Sequence, residues 1–194
     1  MTRRLPIIPT ILVLAAVAVM IGLGVWQLQR ASWKHELLTR YADAAQDDTA
    51  VAWPASSDQY DDLYYRRSSF TCAEVLGRDA IAGRNSDGEA GWVQIARCRT
   101  ARGDPAAVQL GWAQDPQPIS WNGGEVTGRI TRYGEGIRLV ADPPAEGLAA
   151  NAAPDPRALP DNHMAYAFQW FFFAITALVI YFLALRRMQA KSAD

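Results

Sequence analysis

The sequence predicts a membrane protein in which two transmembrane helices flank a β-rich (α+β) periplasmic domain, a small antiparallel sheet or barrel. Three observations carry this. Residues 5–29 contain no charged side chain, and neither do residues 162–185. Between them lies a polar segment with 14 basic and 19 acidic side chains. Within that segment, short runs with β-branched or aromatic residues alternate with turn sequences, the pattern of strands.

The first apolar run, Ile7–Trp26, reads IIPTILVLAAVAVMIGLGVW. At about 1.5 Å per residue it covers about 30 Å, the thickness of a bilayer's hydrocarbon core. Pro9 falls in the first turn, where a missing N–H costs little. A cleaved signal peptide also starts basic, as Arg3 and Arg4 do here. Its apolar core is only about 7–15 residues long, however, and no A-x-A site closes this run. An uncleaved anchor is therefore expected. The second run, Met164–Leu185, opens with Tyr and Trp and ends at Arg186-Arg187. These are the flanks of a membrane span rather than of a buried core helix. The expected organisation is a tail over 1–6, a span over 7–27, a domain over 28–162, a span over 163–185 and a tail over 186–194.

Basic tails stay in the cytoplasm by the positive-inside rule, whereas long acidic domains translocate largely regardless of charge. Arg30, Lys34 and Arg40 flank the far end of the first span without reversing that expectation. The expected home is a bacterial inner membrane, with both termini cytoplasmic and the central domain periplasmic. Membrane lipid is an expected partner. Nucleic acid is not, because the net charge is −1 and no basic stripe is present.

Helical spacing continues over Leu28–Ala45, with Glu36 and Arg40 as an i,i+4 pair. Residues 46–62 hold Pro54, two serines and five aspartates and read as irregular. Strands are expected at Leu63–Leu76, Gly91–Thr100, Ala106–Ala113, Glu125–Arg132 and Ile137–Ala141. The intervening NSDGEAG, ARGDP, QDPQP and NGG are turn chemistry. Asp142–Pro160 is rich in proline and alanine and reads as an extended strap leading back to the membrane.

Catalytic chemistry is sparse. The chain has two histidines, His35 and His163, and no H-E-x-x-H, G-x-S-x-G or P-loop pattern. No enzyme is expected. Cys72 and Cys98 are too few for a tetrahedral thiolate site. They fit either a disulfide between neighbouring strands in an oxidising compartment or two reduced, half-buried thiols, and the sequence leaves both open. His163 opens the second span in PDNHMAYAFQWFF. On a helix His163, Tyr166, Ala167 and Trp170 share a face. An imidazole beside flat aromatic rings suits a haem iron. The plainer role is an interfacial belt of Tyr and Trp, with a histidine at the helix end and Asp161 and Asn162 as N-cap residues. Trp26 and Gln27 lie at a similar depth on the first span.

Two stretches carry a resemblance. Gly24-Val25-Trp26-Gln27-Leu28-Gln29-Arg30-Ala31-Ser32-Trp33-Lys34 resembles the G-x-W-Q-x-x-R-x-x-W-K signature closing the first span of the surfeit locus protein 1 family. Asp161-Asn162-His163-Met164-Ala165-Tyr166-Ala167-Phe168-Gln169-Trp170-Phe171 resembles that family's N-H-x-x-Y-A-x-Q-W-F signature opening the second. The middle is less faithful: Ala82-Gly83-Arg84-Asn85 stands where the family has a G-N-R turn, and Gln109-Leu110-Gly111-Trp112-Ala113 keeps only Gly-Trp of N-R-G-W-V-P.

The resemblance implies a cytochrome c oxidase assembly factor acting in maturation of oxidase subunit I, with haem a bound transiently and handed on. Subunit I and the haem a synthesis machinery are the implied partners. His163 is the implied iron ligand, and Trp26, Gln27, Tyr166 and Trp170 are implied cofactor-site neighbours. The alternative is a membrane-anchored docking chaperone for the oxidase that binds no haem.

Overall fold

The computed structural model describes residues 6–158 and 162–191. The basic tail at Arg3 and Arg4, the cap at Asp161 and the last three positions lie outside the described residues. The chain divides into a helical unit, up to Leu37 and from Asn162 onward, and a second unit, Leu38–Ala158.

The helical unit is built on α1 (Ile7–Gln46) and α3 (His163–Lys191). As the spacing predicts, α1 runs past the first apolar run without a break. Both helices are long and apolar enough to cross a membrane. Only 11% and 6% of their most apolar stretches are buried, which excludes the core helix of a globular domain. They pair antiparallel along a narrow seam. On α1 the shielded positions include Thr10, Val13, Val17, Met20, Gly24 and Gln27; on α3 they include His163, Ala167, Trp170, Ala174, Ala177 and Tyr181. Steps of three and four place each set on one helix face. Gly24, Ala167 and Ala174 keep the seam thin, as small residues do between membrane helices. Hydrogen bonds mark both ends: the Thr10 and Tyr181 hydroxyls meet at one, Gln27 and His163 at the other.

The second unit contains β1 (Val51–Ala52), α2 (Tyr60–Leu63), β2 (Arg67–Arg84), β3 (Ala90–Thr100), β4 (Pro105–Ala113), β5 (Gly124–Tyr133) and β6 (Gly136–Ala141). The strands run β1-β2-β3-β4-β6-β5, and β5 pairs back onto β2. Strands β2, β3, β4, β6 and β5 therefore close into a five-stranded ring, the architecture of an OB-fold barrel. At Cys72, β2 pairs with Thr100 of β3 and with Gly124 of β5. The expected antiparallel sheet is corrected to a mixed one, because β1–β2 and β4–β6 are parallel. Parallel neighbours need a long connection, and the passage through β5 supplies it for β4 and β6. Val108, Ile130 and Leu139 are fully buried in the core.

Two sequence expectations are refined. Strand β2 continues to Arg84, well past Leu76, and forms a long hairpin with β3. The proline-rich strap is docked rather than loose. Ala149 bridges to Trp112 and Asn151 to Asn85. The Gln109 side-chain amide donates to Asn151 Oδ1 at 2.8 Å.

The end of α1 is clamped by one cation. Arg129 of β5 donates through Nη1 to the carbonyls of Ala44, Asp47 and Tyr65 at 3.3, 3.1 and 3.1 Å. Its Nη2 meets Asp48 Oδ1 at 2.8 Å. Terminal helix carbonyls lack partners within the helix and favour a nearby cation. The same guanidinium pins Tyr65, which has a left-handed φ of 67°, and Tyr65 N–H donates to Ile130 O. The Tyr41 ring packs on the Tyr64 and Tyr65 rings at 5.9 and 5.1 Å. Burial raises all three phenol pKa values, so they stay neutral. Arg129→Ala should cost about 2–3 kcal/mol, most of it from carbonyls left without a donor. The exposed Asp48 contributes little to that figure. Arg129→Lys, a point charge without the planar fork, should recover only part. Thermal unfolding, with amide exchange over the last turn of α1, measures both.

Candidate functional site

The candidate site lies at the seam end where α3 begins. Asn162 precedes the helix, and its carbonyl accepts the Tyr166 N–H. His163 is the first helical residue. Gln27 belongs to the continuous part of α1, so two separate helices supply the two groups. His163 Nδ1 lies 2.9 Å from Gln27 Oε1. An amide oxygen only accepts, so in this hydrogen bond the ring nitrogen is the donor.

One turn away the Phe171 ring lies against Gly24. A Cβ added to Gly24 would lie 2.8 Å from the Phe171 ring. Ala167, one turn into α3 from His163, is 1% exposed. These two small residues bring the helices close enough for a glutamine to span the gap.

The structure thus brings Gln27 and His163 together, and places Trp170 partly inside the seam, 6.3 Å from the Phe173 ring. It does not place Tyr166 in the seam. Tyr166 is 51% exposed, and the seam passes through Ala167 instead. Four residues within one helical face span a wide arc, and the seam occupies only its centre. Trp26, next to Gln27, is 50% exposed. Trp26 and Tyr166 therefore present flat ring surface outside the seam.

Sequence reasoning missed the Gly24–Phe171 notch and the Thr10–Tyr181 bond. The signal for both was the spacing of small and polar residues in steps of three and four along the two apolar runs. Among the described residues no group of three or more His, Cys, Asp or Glu side chains is placed to hold a metal ion.

The two cysteines are joined. Cys72 and Cys98 form a disulfide with a Cα–Cα distance of 5.4 Å, inside the range the bond requires. Cys98 stands opposite Val75, and a register shift after Cys72 sets the pair diagonally across the β2–β3 ladder.

A family model described as the SURF1 family matches residues 14–175, most of the chain and both helix-end motifs. The chain belongs to the SURF1 family. This is the surfeit locus protein 1 family whose signatures the two helix ends resemble. Comparison with curated proteins gives no match. The SURF1 family is associated with cytochrome c oxidase assembly and is an assembly-factor family rather than a catalytic one.

Proposed function

We propose that this chain is a membrane-anchored biogenesis factor for cytochrome c oxidase. In this reading it holds haem a transiently at His163 and passes it to subunit I, with the haem a synthesis machinery as donor. The observation that carries the reading is the Gln27–His163 hydrogen bond. A metal-ligating histidine almost always donates its other ring N–H to an acceptor that fixes its orientation, and Gln27 Oε1 fills that role. The residues present therefore fit a haem iron with a single protein ligand.

When bound, the haem supplies the iron that the oxidase will use. The chain's own residues supply the rest. His163 would hold the iron, and Gln27 would orient its ring. Trp26, Tyr166 and Trp170 offer flat apolar faces for the macrocycle. A single ligand with no enclosing cage favours release over storage. The proposed placement is a bacterial inner membrane with cytoplasmic termini and a periplasmic domain. The disulfide supports it, since such bonds persist in oxidising compartments.

One observation favours the docking-only reading. A groove of about 620 Å³ on the sheet domain is lined by Trp53, Tyr60, Leu76, Tyr133 and Ile137, with Arg97 and Asp104 among its polar residues. That surface suits protein contact. The two readings separate in one experiment. The full chain is expressed in a host that makes haem a, purified in mild detergent, and its visible spectrum compared with that of His163→Ala. Haem content should fall about tenfold or more in the variant while the circular dichroism stays unchanged. Equal haem in both would place the ligand elsewhere. No haem in either folded protein would favour docking alone.

A further inference from the structure

We infer that Arg138 and Thr131, beside the groove of the sheet domain, form a carboxylate-recognition position, and that the groove takes an extended acidic segment of a partner protein. The inference is independent of haem at His163. It adds to the docking reading the class of segment the groove would take.

Thr131 of β5 and Arg138 of β6 stand opposite each other in the antiparallel ladder, one step along from the fully buried Ile130–Leu139 pair. Side chains alternate along a strand, so Thr131 and Arg138 share the face turned away from the ring's interior, with Cβ atoms about 5 Å apart. Thr131 Oγ1 and Arg138 Nε are both buried, and neither has a hydrogen-bond partner. Among the described residues no carboxylate pairs with Arg138. Its guanidinium stands 5.1 Å over the Tyr133 ring instead. Burial lowers its pKa, but a guanidinium stays charged at neutral pH. A buried charge without a counter-ion is costly, and buried polar groups are ordinarily bonded. The guanidinium and the hydroxyl, side by side, lack the same thing, an acceptor. One carboxylate supplies it to both.

The Tyr133 ring under this cation also lines the groove. So do Ile137, next to Arg138 in the chain, and Ala107, which neighbours Arg138 across the parallel β4–β6 pairing. The groove's own charges are paired: Arg97 with Asp79 and Arg102 with Asp104, each at 3.3 Å. Leu76, also in the lining, is 49% exposed. It is the one exposed large apolar side chain among the described residues of the second unit. Exposed apolar surface with a polar rim is the anatomy of a protein contact. One uncompensated cation beside it complements an apolar segment that carries a carboxylate.

The test uses the full chain in phosphatidylcholine nanodiscs and two fluorescent pools of acetylated hexapeptides. Both pools carry Phe, Leu or Val at the second and third positions. The fourth position is Glu in one pool and Gln in the other. Wild type should bind the Glu pool about tenfold more tightly than the Gln pool, as a hydrogen bond to a charged group provides. Arg138→Met should remove that preference. Thr131→Val keeps the shape without the hydroxyl and should reduce the preference about threefold. Arg138→Met should also melt at or above wild type, because it removes an unpaired buried charge. Lost binding in that variant is then not lost folding.

Equal affinity of wild type for the two pools, or a preference that survives Arg138→Met, would overturn the carboxylate position and leave a groove that docks apolar segments alone. Binding of neither pool would overturn the docked segment itself. Displacement of the Glu pool by an equal concentration of inorganic phosphate would make the pair a small-anion site, against the inference. An Arg138→Met protein that melts well below wild type would show that the cation holds the fold, and would overturn it too.

Discussion

Gly128→Ala should unfold or severely destabilise the sheet domain, at a cost of about 3 kcal/mol or more. Gly128 lies in β5 between two neighbours, opposite Ser68 of β2 and Ala141 of β6. A Cβ at this position would stand 2.0 Å from the Val140 carbonyl oxygen and 2.7 Å from its carbon. Both obstacles are backbone, so no side chain can swing aside. Relief requires β6 to move, and β6 carries Leu139, which is fully buried. The contrast is Gly136→Ala. Its added carbon meets only the Tyr133 carbonyl oxygen, at 3.7 Å, and should change stability by well under about 1 kcal/mol. Thermal unfolding of the full chain in detergent, followed by circular dichroism, measures both. A Gly128→Ala protein that melts with wild type would mean that β5 and β6 are not held at the spacing described.

Replacing both cysteines with alanine should cost about 3.5 kcal/mol, from the entropy of closing a loop of about 26 residues. Both sulfur-bearing residues are buried, at 2% and 1% exposure, so the alanines also leave small voids that add to the loss. Reductant should lower the melting temperature of wild type and leave the double variant unaffected. Equal melting of oxidised and reduced wild type would show that the ladder between β2 and β3 holds without the bond.

Much of this architecture is legible in the residues, and the gaps have physical causes. The four shorter ring strands start and stop within about two residues of where alternation and turn chemistry place them. The far half of β2 is harder to read because Gly77 and Gly83 interrupt it, and glycine weakens a strand signal. Strand β1 is two residues long, too short for any period. The parallel β4–β6 pairing joins residues distant in sequence, and local patterning does not encode which distant strand lies alongside. Ring closure is hidden for the same reason.

The candidate site was half legible. His163, Gln27 and the aromatics stand out by type and depth, but which of them touch depends on the rotation of two helices about a seam. That rotation is set by Gly24, Ala167 and Ala174, residues whose importance lies in the side chain they lack. Arg129 gave no signal at all. One arginine in an alternating strand is ordinary until the end of α1 is seen to need a donor.

The closed ring also constrains the order in which the polypeptide acquires structure. Of the ring strands, a chain emerging from the ribosome presents β2 first. Its hairpin with β3 forms from nearby residues, and Cys98 follows soon after Cys72, so this half needs little waiting. The other edge of β2 finds its partner only when β5 arrives, at Arg67–Arg129 and the pairs beyond. Contacts so far apart in sequence form slowly, because loop closure precedes any reward. The nascent domain therefore passes through a stage with β2 exposed along one side. The early hairpin is what holds that strand in register until synthesis delivers the segment that seals it.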